Sequence, residues 1–190
     1  MSPRKNFRPV AFLSLFVLIA LACVVNVGGP AAPTDTIPVS TEAAESLDES
    51  WSNAVGQSED TGNFTIVITE MQLTSLVAQR LATQENPPLR DPQVYLRDGQ
   101  IQIYGTASRG SLEATVRLTL SVGVDAEGHP EIEIVSGEFG PFPIPEEILS
   151  GFSAVIDEAL TGDIGPAATG VRLESIVIDG GLMSITGRLR

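Results

Sequence analysis

One histidine serves the whole chain. His129 lies in Asp125-Ala126-Glu127-Gly128-His129-Pro130, where an imidazole and two carboxylates fall within five residues. Such a grouping can ligate a metal. A catalytic zinc site, however, takes three protein ligands and usually more than one histidine. A calcium loop alternates more oxygen ligands than this stretch offers. The preferred reading is a polar hairpin turn, with no metal and no cofactor. Glu146/Glu147 and Asp157/Glu158 are neighbouring carboxylates, but adjacent positions on a helix point in different directions. Neither pair forms an acid–base dyad by itself. No serine stands in a Gly-x-Ser-x-Gly elbow, and no glycine-rich phosphate loop follows a strand. Asn63-Phe64-Thr65 matches a glycosylation sequon, a triplet common by chance. These residues predict a protein that is not an enzyme.

Cys23 is the only cysteine. It closes Ala20-Leu21-Ala22-Cys23 at the end of an apolar run from Val10 to Val25 that Arg4, Lys5 and Arg8 precede. A short basic stretch before a long apolar one is an export or membrane-anchor signal. Three fates fit it. The run is a spanning helix at the short end of what crosses a bilayer, or it is cleaved in the ordinary way near Ala22. Alternatively it is a lipoprotein signal, resembling the bacterial lipobox except that Ala20 stands where leucine is usual. Cys23 is then either an apolar residue of a membrane helix or the lipidated residue. Both readings place the domain outside the cytoplasmic membrane of a bacterium.

The charge agrees with that placement. All 24 acidic residues follow residue 34, and beyond the leader only eight arginines oppose them, a net −16. Such a chain repels phosphates, which excludes nucleic acid as a partner. It also repels anionic lipid headgroups. Membrane contact beyond the anchor must therefore be apolar.

Three segments follow: a leader over 1–27, a linker over 28–60 and one α+β domain over 61–190. The linker begins Gly28-Gly29-Pro30-Ala31-Ala32-Pro33, a composition that cannot build a core. A helix over 42–55 is predicted within it, with Leu47, Trp51 and Val55 on one face. Trp51 either clips this helix to the domain or stands exposed on a solvated stalk.

In the domain, Phe64, Ile66 and Ile68 alternate with Thr65, Val67 and Thr69, as a strand requires. Thr69-Glu70-Met71-Gln72 fits a capping box, and Leu73, Leu76, Val77 and Leu81 give the following helix an apolar face. Asp98-Gly99 predicts a tight hairpin pairing Leu96 with Ile101 and Val94 with Ile103. Leu112 to Val124 alternates strictly for thirteen residues, a strand of about 43 Å. A phase slip at Val135-Ser136-Gly137 suggests a bulge. Pro145 suits the first turn of a second helix, whose stripe is Ile148, Leu149, Phe152, Val155, Ile156 and Leu160. A closing hairpin turns at Gly180-Gly181.

Val94 to Gly105 aligns without gaps on Ile176 to Gly187. The expected fold is α+β: a twisted, elongated antiparallel sheet with two amphipathic helices on its apolar face. Two pseudo-repeated strand–helix–hairpin units would build it, after an N-terminal membrane segment. Its apolar stripes either close on each other as ordinary core or leave a groove. Phe139, Phe142, Ile144 and Phe152 are the candidate ligand-binding residues of such a groove.

The strand running into Thr69-Glu70-x-x-Leu73-x-x-Leu76, the Asp-Gly hairpin, the long alternating strand, Gly140-Pro141-Phe142-Pro143-Ile144-Pro145 and the closing hairpin together resemble the bacterial LmeA-type phospholipid-binding proteins. They are also similar to the YpmS-like membrane-anchored envelope proteins. The resemblance spans most of residues 63–189 and implies a curved lipid-binding fold outside the cytoplasmic membrane, with no catalytic residues. The expected partners are the membrane, through the leader, and a lipid or other apolar ligand. The alternative is an envelope structural module whose partner is a protein.

Overall fold

The computed structural model describes residues 25–144, Leu149 and residues 171–189. Residues 1–24 of the leader, Cys23 among them, lie outside these residues, as do Phe152 and nearly all of the second predicted helix. The described residues form an α+β fold with two sheets, where one was expected. The first sheet runs in the order β3 (Arg90–Arg97), β4 (Gln100–Arg109), β5 (Leu112–Val124), β6 (Pro130–Phe139), β7 (Phe142–Pro143), all antiparallel. A short β1 (Val25–Asn26) joins β5 in parallel. The second sheet is β2 (Asn63–Thr69), β9 (Leu182–Leu189), β8 (Val171–Asp179). Here the first strand of the domain meets the last, Asn63 opposite Arg188 and Ile66 opposite Ile185.

The elements form where local chemistry places them. Thr69 accepts from the Gln72 N–H at 3.2 Å, and the Gln72 side chain accepts from the Thr69 N–H at 3.0 Å, so the capping box starts α2 (Glu70–Ala82). Asp98 and Gly99 have φ of 54° and 74°, as a two-residue hairpin requires. Leu96 faces Ile101 and Val94 faces Ile103. β5 runs for all thirteen residues, and the bulge falls where Thr119 pairs with Ser136 but Leu120 pairs with Ile134.

The closing hairpin repeats the geometry of the first. Gly180 and Gly181 have φ of 57° and 79°, and Ile178 faces Met183 as Leu96 faces Ile101. Each hairpin slips register at the matching place, between Arg90 and Gln93 in one and between Leu173 and Ser175 in the other. A glycine stands opposite each slip. A Cβ on Gly105 would meet the Arg90 carbonyl oxygen at 2.8 Å; one on Gly187 would meet the Arg172 carbonyl oxygen at 2.6 Å.

The first core gathers Phe64, Ile66, Ile68, Val171, Leu173, Met183 and Ile185 of the second sheet against Leu96, Ile101, Val122 and Val124 of the first. Helix α1 (Thr41–Thr61) covers it with Leu47, Trp51 and Ala54. The Trp51 ring meets Phe64 edge-on, with centroids 6.0 Å apart, so Trp51 is a clip and not a bare stalk residue. The helix is longer than the stretch over 42–55. Ser40 caps its start by accepting from the Ala43 N–H at 3.0 Å, and left-handed Gly62 ends it.

Two expectations are corrected. First, the segment over 28–60 does not leave the domain as a linker. Thr115 N–H donates to the Gly28 carbonyl (3.1 Å), Tyr95 O–H to the Asp35 carbonyl (2.9 Å) and Ser40 N–H to Ser75 Oγ (3.1 Å). Gln93 both receives from the Ile37 N–H (2.6 Å) and donates to its carbonyl (3.2 Å). Residues 27–40 are thus a strap laid over the tyrosine-bearing face of the first sheet. Proline and glycine shape it, and the backbone, not side-chain burial, ties it down.

Second, neither described helix lies on the apolar face of the first sheet. Helix α2 lies along the free edge of β3. Its most buried residues are polar, Thr74 and Ser75. Thr74 Oγ1 accepts from the Val94 N–H at 3.0 Å and sits 3.4 Å from the Val94 carbonyl, to which it donates. Glu70 accepts from the Leu96 N–H at 2.7 Å. An edge strand exposes unpaired donors and acceptors, so polar residues are what the edge selects.

Candidate functional site

His129 and Asp125, the first residues to suggest chemistry, bond to each other within a turn, and Glu146, Glu147, Asp157 and Glu158 lie outside the described residues. His129 N–H donates to Asp125 Oδ1 at 2.8 Å, and its Nδ1 lies 3.2 Å from Oδ2. The His129 N–H bond, above all, holds the Asp125 carboxyl below the usual carboxylate range. The β5–β6 turn they form clasps the two sheets together. Leu173 N–H donates to the Gly128 carbonyl at 2.9 Å, and Arg172 donates to the Ala126 carbonyl at 2.7 Å. Gly128, at φ 87°, lies so close to the Arg172 side chain that a Cβ has no room. Among the described residues no three His, Cys, Asp or Glu side chains gather as metal ligands. Sequence reading found this turn but missed the clasp, whose only signal is glycine before His-Pro.

The first sheet offers a different kind of site. In β-structure, paired residues share a face and alternate along the strand. Ile101 and Ile103 of β4, Leu118 and Leu120 of β5, and Ile132 and Ile134 of β6 therefore share one face. Leu120 and Ile134 are buried, with Leu149 against them; Ile101, Ile103, Leu118 and Ile132 are only half-buried.

The candidate residues extend this face. Ile144 N–H donates to the Gly137 carbonyl at 2.7 Å, and the Ile144 side chain packs on the Leu118–Leu120 cluster. Phe139 pairs with Val116 on β5 and with Phe142 on β7. Phe139 is half-buried and Phe142 is 63% exposed. Three of the four candidates thus stand on one apolar track from the core to the β6–β7 corner. Leu112, half-exposed on the same face of β5, continues it and was not singled out from the sequence.

The opposite face of this sheet is polar, and the strap crosses it at Tyr95. Tyr95 and Tyr104 meet edge-on with centroids 5.7 Å apart, and Arg117 donates to Glu138 at 2.7 Å. Tyr104 and Glu138 hold the Arg117 guanidinium firmly charged. Burial, then the carboxylates of Glu70 and Asp35, push the Tyr95 phenol up. Beside it an open cleft of about 310 Å³ runs between the strap and the start of α2. Glu70 there is already bound by Arg97 and the Leu96 N–H. A second open cleft, about 460 Å³, lies between the end of α2 and β3, lined by Val39, Leu81, Leu89 and Pro92.

Fold and site define an α+β domain with two antiparallel sheets, one of which carries an apolar track. No protein-family model matches the chain, and no curated protein or solved structure matches it. Among the described residues no helix is long and apolar enough to cross a membrane.

Proposed function

We propose that this chain is a membrane-anchored, extracytoplasmic, non-catalytic domain of the bacterial envelope. It binds a lipid or another apolar ligand on the apolar track of its first sheet. The track itself carries this reading: four of its six central aliphatic side chains stay half-buried, and it ends at exposed Phe142. Aliphatic side chains gathered along one face, with an exposed aromatic at the end, suit an apolar ligand groove. Recognition comes from shape, with few polar contacts. The basic-then-apolar leader supplies the anchor, by span or by lipid on Cys23. The twin hairpins support an elongated fold of two pseudo-repeated strand–helix–hairpin units.

Native mass spectrometry of the full chain, with solvent extraction of what copurifies, tests the reading. Residues 61–190 alone would lose α1 and the strap. Expected is an added mass that extracts as phospholipid or fatty acid and is lost in Leu118→Arg, with circular dichroism unchanged. A bare chain, or an adduct that Leu118→Arg leaves in place, would sink it.

One observation favours a second reading, a protein-interaction module. On the outer face of the second sheet Val67 pairs with Ser184 and Ser184 with Val177. Val67 and Val177 are both half-exposed. A Val67→Glu/Val177→Lys variant that loses an otherwise stable dimer would support it.

A further inference from the structure

The leader and the fold share a residue. The apolar run extends from Val10 to Val25, and β1 is Val25–Asn26. No spacer separates them. β1 and the residues after it are fastened to the start of β5. Val25 pairs with Leu112, Val27 N–H donates to the Glu113 carbonyl at 3.0 Å, and Thr115 N–H donates to the Gly28 carbonyl at 3.1 Å. Gly29 lies so close that a Cβ would meet the Thr115 carbonyl oxygen at 2.6 Å. Any attachment made upstream of Val25 therefore brings this corner of the domain to the bilayer.

The corner is dressed for that contact. Leu112, 41% exposed, stands beside Val25. Phe142, 63% exposed, sits in the β6–β7 corner, where a Cβ on Gly140 would touch Val27 at 3.1 Å. Both belong to the apolar face of the first sheet. Charge is arranged to match. Near this corner Arg90 is paired with Glu113, and Arg109 precedes the Gly110–Ser111 turn. Asp125, Glu127 and Glu131 lie at the other end of β5, about 40 Å away along the strand. Near the corner Glu113 and Glu138 are paired with Arg90 and Arg117, and Asp91 adjoins Arg90, so the far end carries the larger share of the carboxylates that an anionic bilayer surface repels.

We infer that the β1, β4–β5 and β6–β7 corner is seated in the bilayer interface, with Leu112 and Phe142 as its inserted side chains. β5 leads away from the membrane, and the apolar track opens directly onto lipid. This rests on the anchored reading given above. Apolar side chains at such a surface enter about 5–10 Å, to the boundary of headgroup and acyl chain.

The test uses the full chain in vesicles of phosphatidylcholine and phosphatidylglycerol, with and without brominated phosphatidylcholine. Trp51 is the only tryptophan and is clipped on Phe64, so the unsubstituted chain gives the baseline. Leu112→Trp, Phe142→Trp and Glu127→Trp each add one reporter. Expected is a blue shift and a loss of emission to bromolipid at positions 112 and 142, with neither at 127. If the chain floats with the vesicles but positions 112 and 142 are quenched no more than 127, the seating is wrong and the anchor stands. If the chain does not float, anchor and seating fail together.

Discussion

The two hairpins are built alike and finished differently. β3–β4 and β8–β9 share turn geometry, register, a bulge at the same place and a glycine facing it. Their outer faces diverge. Tyr95 is 1% exposed under the strap; its counterpart Val177 is 55% exposed. Tyr104 and Gln93 in the first hairpin correspond to Thr186 and Ser175 in the second, which bond each other at 2.8 Å. The Tyr95 ring and hydroxyl, with the Gln93 amide, supply the area and the donors that fasten a crossing segment. A valine between serine and threonine supplies neither. Identical backbones thus acquire different neighbours through a few outward side chains.

The largest expected effect separates positions 95 and 177. Tyr95→Ala removes a buried ring and the bond to Asp35, and is expected to cost about 3–5 kcal/mol, as aromatic truncations in cores do. Val177→Ala is expected to stay within about 0.5 kcal/mol. Denaturant unfolding of both variants checks this, and equal losses would erase the contrast.

Next come the glycines. Gly187→Ala puts a methyl against the Arg172 carbonyl and the Phe64 ring, each at 2.6 Å in the first core. Overpacking of this kind costs about 1–3 kcal/mol. Gly105→Ala meets Leu89 Cγ at 2.5 Å and the Arg90 carbonyl oxygen at 2.8 Å, so thermal unfolding should show a comparable loss there, and a loss at only one of the two positions would separate the hairpins.

Thr74→Val sharpens the comparison at the sheet edge. It keeps shape but leaves the Val94 N–H and carbonyl unpaired, a cost of about 1–3 kcal/mol. Hydrogen exchange at Val94 should accelerate by the corresponding factor, and unchanged protection would show that α2 does not guard that edge.

The smallest effect is one of pH. The Tyr95 pKa is raised in the folded state, so its contribution is fully present below the unfolded tyrosine value of about 10 and is lost as pH rises through the folded one. Tyr95→Phe should cost about 1 kcal/mol at neutral pH through the lost bond to Asp35. Stability profiles of the two chains should then converge at alkaline pH; parallel profiles would show that the phenol is not what titrates.

Local features were readable from the sequence because local chemistry decides them. Thr69 and Gln72, Asp98-Gly99, the alternation over 112–124 and the slip at Val135 each rest on residues close in sequence. The division into two sheets was not readable, since alternation in β2 says that one face is dry but not that β9 will lie beside it. The strap was hidden for a related reason. Gly28 to Pro38 has almost no apolar periodicity, and its fastening comes from backbone groups and the remote Gln93 and Tyr95. One signal was available and unused: Ser40 and Gly62 bracket α1 as cap and stop. On the apolar track, alternation indicated the face, but Leu112 gained its meaning only once β1 was placed beside it.

The pairing of β2 with β9 also governs the order in which the molecule can be completed. A chain made from its N-terminus delivers Phe64, Ile66 and Ile68 long before Met183 and Ile185 arrive to cover them. Until the last hairpin follows, β2 lacks its partner strand and the first core lacks one wall. Such long-range closure is slow and leaves apolar surface open to aggregation. Closure of the first core is therefore a late event that waits for the last hairpin.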